Sequence, residues 1–272
     1  MRFTKMHGCG NDFVVVDAIH QSLPADMAAF CRHLGDRHFG VGCDQILIVA
    51  PSTVADFQML IFNSDGSKVE MCGNGIRCLA RYVVDKGLTA KTKLEVETLA
   101  GIIRPEIVGE LVRVDMGEPV LRTKDWTWPG ERVVAQPYEV GGRTIPVTLV
   151  SMGNPHCVSF HEDLDDALVL GIGPQIENDR KHFPNRVNVE FIRRRSATEL
   201  DMRVWERGAG ETLACGTGAS ASCVAAVLNG LTERKVTIHL TGGDLELEWR
   251  EADNRVFMTG PATTVFEGTL AD

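Results

Sequence analysis

The sequence predicts an α/β (α+β) chain of two pseudo-symmetric domains, each a strand-rich unit wrapped around one central helix. Three observations support this. First, Cys72-Gly73-Asn74-Gly75 returns as Cys215-Gly216-Thr217-Gly218, an offset of 143 positions. The same offset relates Gly10-Asn11 to Gly153-Asn154, Gln45 to Asn188, Asn63 to Glu206, Gly87 to Gly230 and Gly117 to Gly260. So constant a register indicates a duplicated unit. Second, short runs of alternating or β-branched apolar residues, punctuated by Gly, Asp and Pro, fill both halves. Third, a helical pattern follows each Gly-x-Gly turn.

In the first half, strands are expected at 13–17, 45–49, 57–62, 93–98 and 111–115. A helix is expected at 24–34. A second begins after Gly75, carries Ile76, Leu79, Ala80, Val83 and Val84 on one stripe, and stops at Gly87. In the second half, strands are expected at 156–160, 186–192, 200–205, 235–240, 244–249 and 255–259. The helix after Gly218 reads Ala-Ser-Ala-Ser-Cys-Val-Ala-Ala-Val-Leu and stops near Asn229-Gly230. Its residues are small or apolar all round, which suits a helix buried on most sides. Residues 119–143 have no counterpart before residue 1, and the inter-domain connection is placed there. The expected domains are therefore 1–118 with Cys72 and 119–262 with Cys215. A tail at 263–272 aligns with 120–129, just past the first repeat, and is expected to return to the first domain.

The 272 residues suit two domains of ordinary size. Apolar content of 44% and charged content of 24% are those of a globular chain. A formal charge of −9 argues against nucleic acid as partner. Arg193-Arg194-Arg195 is the one basic block, and reads as a solvated strand end. No apolar stretch approaches the roughly 20 residues of a membrane span. The N-terminus lacks a signal peptide's apolar region, so the expected compartment is the cytoplasm. Eight cysteines are too few for a disulfide scaffold and are expected to be free thiols.

Cys72 and Cys215 each stand just before a predicted helix. Unpaired N–H groups and the positive end of the helix dipole favour a thiolate there, so both thiols are expected to ionise more readily. Glycines let the backbone turn sharply, and the exposed N–H groups suit a carboxylate. Two such thiols suit inversion at a carbon beside a carboxylate: one removes the α-proton, and the other protonates the opposite face.

Other readings compete. Gly216, Gly218 and Ala221 match a dinucleotide fingerprint, but no acidic residue ends a strand at the required distance beyond Gly216. Glu95 and Glu97 leave the first turn formally open to it. Structural zinc finds no Cys-x-x-Cys pair. No cofactor and no metal are therefore expected. Cys31, Cys78 and Cys223 read as core residues, and Cys9, Cys43 and Cys157 as packing. Asn11 and Asn154 fit either turn or site residues. Asn63 and Glu206 end apolar strands before Gly-containing loops, where sites gather. Arg207 offers a fork for a second carboxylate, and Glu206 an acceptor for an ammonium. His156 is either structural or a residue that tunes a thiol.

The chain resembles the diaminopimelate epimerase family in Met-His-Gly-Cys-Gly-Asn-Asp-Phe (6–13), Phe-Asn-Ser-Asp-Gly-Ser (62–67) and Met-Cys-Gly-Asn-Gly-Ile-Arg-Cys (71–78). The likeness continues through Gly-Asn-Pro-His (153–156), Arg-Val-Asn-Val-Glu-Phe (186–191), Trp-Glu-Arg-Gly-Ala-Gly-Glu-Thr (205–212) and Ala-Cys-Gly-Thr-Gly-Ala (214–219). The resemblance implies a cofactor-independent isomerase that interconverts LL- and meso-diaminopimelate for lysine and peptidoglycan precursors. It implies Cys72 and Cys215 as the acid/base pair, with backbone at Gly73-Asn74 and Gly216-Thr217 on the reacting carboxylate. Asn11, Gln45, Asn63, Asn154, Asn188, Glu206 and Arg207 would read the substrate, and His156 and Glu206 would adjust the thiols. The implied fold is two curved, mostly antiparallel sheets around central helices, with the site in the inter-domain cleft and a homodimer as the common assembly. A proline racemase-like isomerase is opposed by Arg207 and Glu206, because proline has no distal groups to bind. A non-catalytic amino-acid binder would not need two cysteines.

Overall fold

The structure is a computed structural model that describes residues 1–70 and 72–271. Met71 of the first cysteine motif and Asp272 of the expected tail lie outside the described residues. The chain divides into two compact units, Met1–Asp115 with Gly260–Asp272, and Met116–Thr259.

The first unit contains β1 (Arg2–Gly8), β2 (Asn11–Asp17), α1 (Met27–Gly35), β3 (Gln45–Ala50), β4 (Phe57–Asn63) and β5 (Lys68–Val69). It continues with α2 (Gly73–Asp85), β6 (Val96–Thr98), β7 (Gly101–Ile103), β8 (Glu106–Val108) and β9 (Leu111–Gly117), the last of which runs into the second unit. The C-terminal strand Thr263–Thr269 pairs antiparallel with β1 at the sheet edge. From there the order is β1, β2, β3, β4, β6, β7. Among the described residues, β2–β3 and β4–β6 are the parallel pairs of this sheet. Residues 13–16 and 46–49 are buried without interruption. A run of that kind needs cover on both faces. Cys31 and Leu34 of α1 pack with Val14, Val16, Ile46 and Ile48 on one side. On the other, Gly75 of α2 lies against Leu47 and Phe13.

The second unit repeats the plan. It contains β10 (Gln136–Val140), β11 (Arg143–Ser151), β12 (Pro155–Phe160), α3 (Asp166–Glu177), β13 (Asn188–Arg194) and β14 (Glu199–Glu206). It then adds β15 (Gly210–Thr212), α4 (Gly216–Leu228), β16 (Lys235–Leu240), β17 (Gly243–Trp249) and β18 (Val256–Pro261), whose last two residues fall in the first unit. The strand order is β10, β11, β12, β13, β14, β16, β17, β18. The parallel pairs are β12–β13 and β14–β16, the positions that β2–β3 and β4–β6 hold in the first unit. Register is conserved as well: Phe13 faces Gln45, and His156 faces Asn188. A mixed α/β fold of two similar sheets, mostly antiparallel and each with a central helix, is therefore what the sequence specifies.

Several elements differ from expectation. α3 was not expected. Asp165 caps it by accepting from Leu168 N at 2.7 Å, and it packs Leu168, Val169, Ile172 and Ile176 into a core with Tyr138, Phe183 and Phe191. Residues 119–143 are more than a connection. They include β10 and supply Trp126, Val133, Tyr138 and Val140 to that same core. The strand expected at 93–98 shrinks to Val96–Thr98, with Lys93 in an isolated bridge. That expected at 186–192 starts at Asn188, because Arg186 has φ 63°, a left-handed conformation that ends strand pairing. β1, β10, β11 and the C-terminal strand were not expected as strands. Arg193-Arg194-Arg195 does lie at a strand end, where Arg193 and Arg195 pair with Asp201.

The two central helices end alike. Gly87 and Gly230 adopt φ 67° and 68° and close the final turns, with Leu88 N donating to Val83 O and Leu231 N to Ala226 O. That is the conformation for which glycine is the default. Among the described residues no helix is long and apolar enough to cross a membrane.

Candidate active site

Both helices start earlier than expected, at the cysteines themselves. Cys72 is the N-cap of α2 and its sulfur accepts from Gly75 N at 3.4 Å. Cys215 is the N-cap of α4 and accepts from Gly218 N at 3.4 Å. Each sulfur thus takes the place of an N-cap oxygen, satisfying one of the unpaired N–H groups that open a helix. Each turn is braced from inside the helix. The buried Arg77 Nη1 donates to Gly73 O at 3.4 Å, and at the matching position Ser220 Oγ donates to Gly216 O at 2.9 Å.

In the first unit, Asn11 begins β2, Gln45 begins β3 and Asn63 ends β4, so three polar residues lie at the same end of neighbouring strands. Asn11 Nδ2 donates to Asp44 at 2.9 Å, which turns its Oδ1 toward Cys72 Sγ at 3.7 Å and Asn74 Nδ2 at 3.2 Å. Gln45 Nε2 donates to Asn63 Oδ1 at 3.0 Å, and Asn63 Nδ2 to Ser67. Asp44 was not singled out in the sequence, although it stands immediately before Gln45.

In the second unit, Asn154 immediately precedes β12, Asn188 begins β13 and Glu206 ends β14. Asn154 Nδ2 donates to Thr217 Oγ1 at 3.2 Å, and Thr217 Oγ1 lies 3.5 Å from Cys215 Sγ. His156 reaches Asn154 Oδ1 through Nε2 at 3.0 Å and Glu190 through Nδ1 at 2.6 Å. Asn188 holds the carbonyl of Pro155 and receives the backbone N–H of Arg207 at 2.9 Å. Arg207 Nη1 touches Asn185 O at 3.4 Å, and the residue is exposed. The Glu206 carboxyl accepts from Thr212 and faces Cys215. Burial pushes its proton affinity up.

One expectation is corrected here. The Cys215 thiol is harder to ionise than an ordinary thiol, not easier. Burial is the largest cause, followed by the negative charges of Glu206 and Glu190, and these outweigh the contacts with Thr217 and Gly218 N. Thiols read as core or packing residues are raised by burial as well: Cys31, Cys78 and Cys223 to about 12, and Cys43 to about 11. What separates Cys215 from them is its cap position and its polar contacts. Iodoacetamide should accordingly label Cys215 slowly at neutral pH, with a rate that keeps rising well above pH 9, as peptide mapping of pH-stepped reactions reads out. A plateau near the ordinary thiol value of about 8.5 would contradict the assigned environment.

Glu190 is the functional candidate that sequence reasoning passed over. It was read only as part of a motif, yet a charged residue inside the buried run Val189–Ile192 was the available signal. Among the described residues no cluster of three or more His, Cys, Asp or Glu side chains could hold a metal ion.

Comparison with known proteins decides the family. The diaminopimelate epimerase family model matches residues 3–122 and 148–265. This chain belongs to the diaminopimelate epimerase family. The Desulfitobacterium hafniense diaminopimelate epimerase is 55% identical over 284 aligned positions, covering 100% of this chain and 99% of that one. The Moorella thermoacetica diaminopimelate epimerase is 53% identical over 275, covering 98% of each. Among solved structures, a Bacillus anthracis phenazine biosynthesis protein of the PhzF family shares the fold. It superposes with a TM-score of 0.72 at 17% identity, covering 100% of this chain and 99% of that one. Each of the two matched segments contains one of the cysteine turns.

Proposed function

We infer that this chain is an isomerase that epimerises LL-2,6-diaminopimelate to the meso form, with Cys72 and Cys215 as its two acid/base groups. The observation that carries the reading is the pair of cysteine N-caps at matching positions of a duplicated fold, in a chain of this family. One thiolate takes the α-proton and the other thiol delivers a proton to the opposite face. N–H groups at Gly73-Asn74 and Gly216-Thr217 hold the reacting carboxylate as charge builds on it.

Asn11, Gln45 and Asn63 are assigned to substrate in the first unit. Asn154, Asn188, Glu206 and Arg207 are assigned in the second, the last two to the distal ammonium and carboxylate. His156 and Glu206 tune the thiols. The product feeds lysine and peptidoglycan precursor synthesis. A cytoplasmic homodimer is the form proposed for the working enzyme.

The thiol pair supplies both proton transfers, so no pyridoxal phosphate, nicotinamide or metal is assigned. After exhaustive dialysis against chelator, with reductant present, the chain should epimerise diaminopimelate at its full rate. Activity lost on dialysis and restored by metal or cofactor would refute this.

A further inference from the structure

The two half-sites share their backbone but differ beneath the turn. Under Cys72 the matching positions hold Phe13 and Leu47, which pack on Gly75. Under Cys215 they hold His156 and Glu190, both fully buried and joined at 2.6 Å. Glu190 Oε2 makes no hydrogen bond within the described residues. A buried carboxylate with one oxygen unpaired costs stability, so its presence calls for a reason. A Cβ at Gly218 would sit 2.6 Å from Glu190 Oε1, so glycine there leaves room for the carboxylate.

We propose that Glu190 is a positioning residue for Cys215: it fixes the proton on His156 and so sets the direction of each hydrogen bond from His156 through Asn154 and Thr217 to the sulfur. The inference rests on Cys215 being one of the two acid/base groups.

The polarity follows from what each atom can do. Asn154 Oδ1 can only accept, so His156 Nε2 must carry a hydrogen. Asn154 Nδ2 can only donate, so Thr217 Oγ1 accepts from it. The single hydroxyl hydrogen of Thr217 is then left for Cys215 Sγ, 3.5 Å away. Glu190 supports this order when it and His156 together hold two protons, however these are divided. As a carboxylate it accepts from Nδ1–H of an imidazolium. As an acid it donates to Nδ1 of the Nε2–H tautomer. Without it, a neutral imidazole can place its hydrogen on Nδ1. The bare Nε2 then calls for a donor, the Asn154 amide turns over, and its oxygen draws the Thr217 hydrogen away from the sulfur. The first half-site sets its asparagine differently, with Asp44 accepting from Asn11 Nδ2.

Charge and hydrogen bonding make opposite predictions for this site. Glu190 from β13 and Glu206 from β14 face Cys215, His156 from β12 faces Glu190 and Glu206, and Cys157 also lies beside Glu190. Loss of the Glu190 charge alone would ease ionisation of Cys215. Loss of the Thr217 donor would hinder it.

The test uses Glu190→Leu, which installs the side chain found at the matching position 47, and Glu190→Gln, whose amide can still donate to Nδ1. Alkylation of Cys215 is followed by peptide mapping across pH, with Cys72 in the same sample as internal control, alongside kcat, KM and thermal unfolding. Glu190→Leu should lower kcat at least about tenfold with KM held within about twofold. It should slow Cys215 alkylation while leaving that of Cys72 unchanged. Glu190→Gln should retain more of both. Wild-type kcat in Glu190→Leu, or Cys215 alkylation that is unchanged or faster, would overturn the proposal. If Glu190→Leu fails to fold, His156→Phe/Glu190→Leu, which reproduces the apolar pair of the first half, carries the same expectations. Should the epimerase reading itself fail, wild-type protein would show no turnover, while the alkylation comparison would still decide the hydrogen-bond chain.

Discussion

Cys72→Ala and Cys215→Ala each abolish epimerisation in this account. Each face of the reacting carbon needs its own proton-transfer group, and alanine supplies none. Losing a positioned acid/base group costs about 10²- to 10⁴-fold in rate. Neither neighbouring side chains nor the second cysteine can compensate, because a single thiol serves a single face. The fold should tolerate the change. Both residues are N-caps, and a capping residue replaced by alanine costs roughly 0.5–2 kcal/mol, a loss readable as a modest fall in unfolding temperature. Cys78→Ala and Cys223→Ala are the controls. Both side chains are fully buried and neither opens its helix, so they should lose stability and keep turnover. Near wild-type turnover in either cap variant would end the two-base assignment.

Glu206→Ala and Arg207→Ala should each cripple the handling of diaminopimelate. The two residues sit at the end of β14, and Asn188 pins the backbone N–H of Arg207 at 2.9 Å. The exposed guanidinium touches Asn185 O through Nη1 at 3.4 Å and keeps further donors for a distal carboxylate. Glu206 faces Cys215 and raises its proton affinity, so its loss also changes the surroundings of that thiol. A charge-assisted contact contributes roughly 1.5–3 kcal/mol, or about ten- to a hundredfold in kcat/KM. The Arg207 effect should appear mainly with substrates that carry the distal carboxylate. Steady-state kinetics with diaminopimelate read both variants, and unchanged kcat/KM would remove both residues from the site.

Fold class and family were legible because duplication writes the same signal twice. One Gly-x-Gly turn is ambiguous between a phosphate loop and a helix cap, whereas two in constant register, each led by cysteine, are not. The strands at 13–17 and 45–49 could be read since burial on both faces makes them continuous apolar runs. α3 was missed because Gly171, Gly173 and Pro174 interrupt a pattern that Leu168, Val169, Ile172 and Ile176 still trace. Its first turn and the strand partners around it decided the matter, along with the cap at Asp165. The repeat offered a second route, since α1 shifted by the common offset falls on 170–178. Residues 119–143 read as a connection because the repeat leaves them without a counterpart. Trp126 and Tyr138 are instead core residues, a fact fixed by tertiary packing that local pattern does not carry.

The charge state at Cys215 was not legible either. Helix-end electrostatics can be read from a sequence, but burial and the carboxylates of Glu190 and Glu206 are set by β13 and β14 brought together in the fold. The same limit hid Glu190, whose partner His156 lies 34 positions away.

The central claim is that two different cysteines handle the proton on the two faces of one carbon. The most direct measurement is a short reaction in D₂O, started from either isomer, with mass analysis of the separated substrate and product. The thiol that protonates the product has already exchanged with solvent, while the abstracted proton resides on the other sulfur. The account predicts deuterium at the α-carbon of product from the first turnovers, and little deuterium in substrate recovered early, because return to substrate draws on the proton just removed. Product that keeps its original α-hydrogen in those first turnovers would mean that one base carries it across, and would contradict the two-cysteine mechanism.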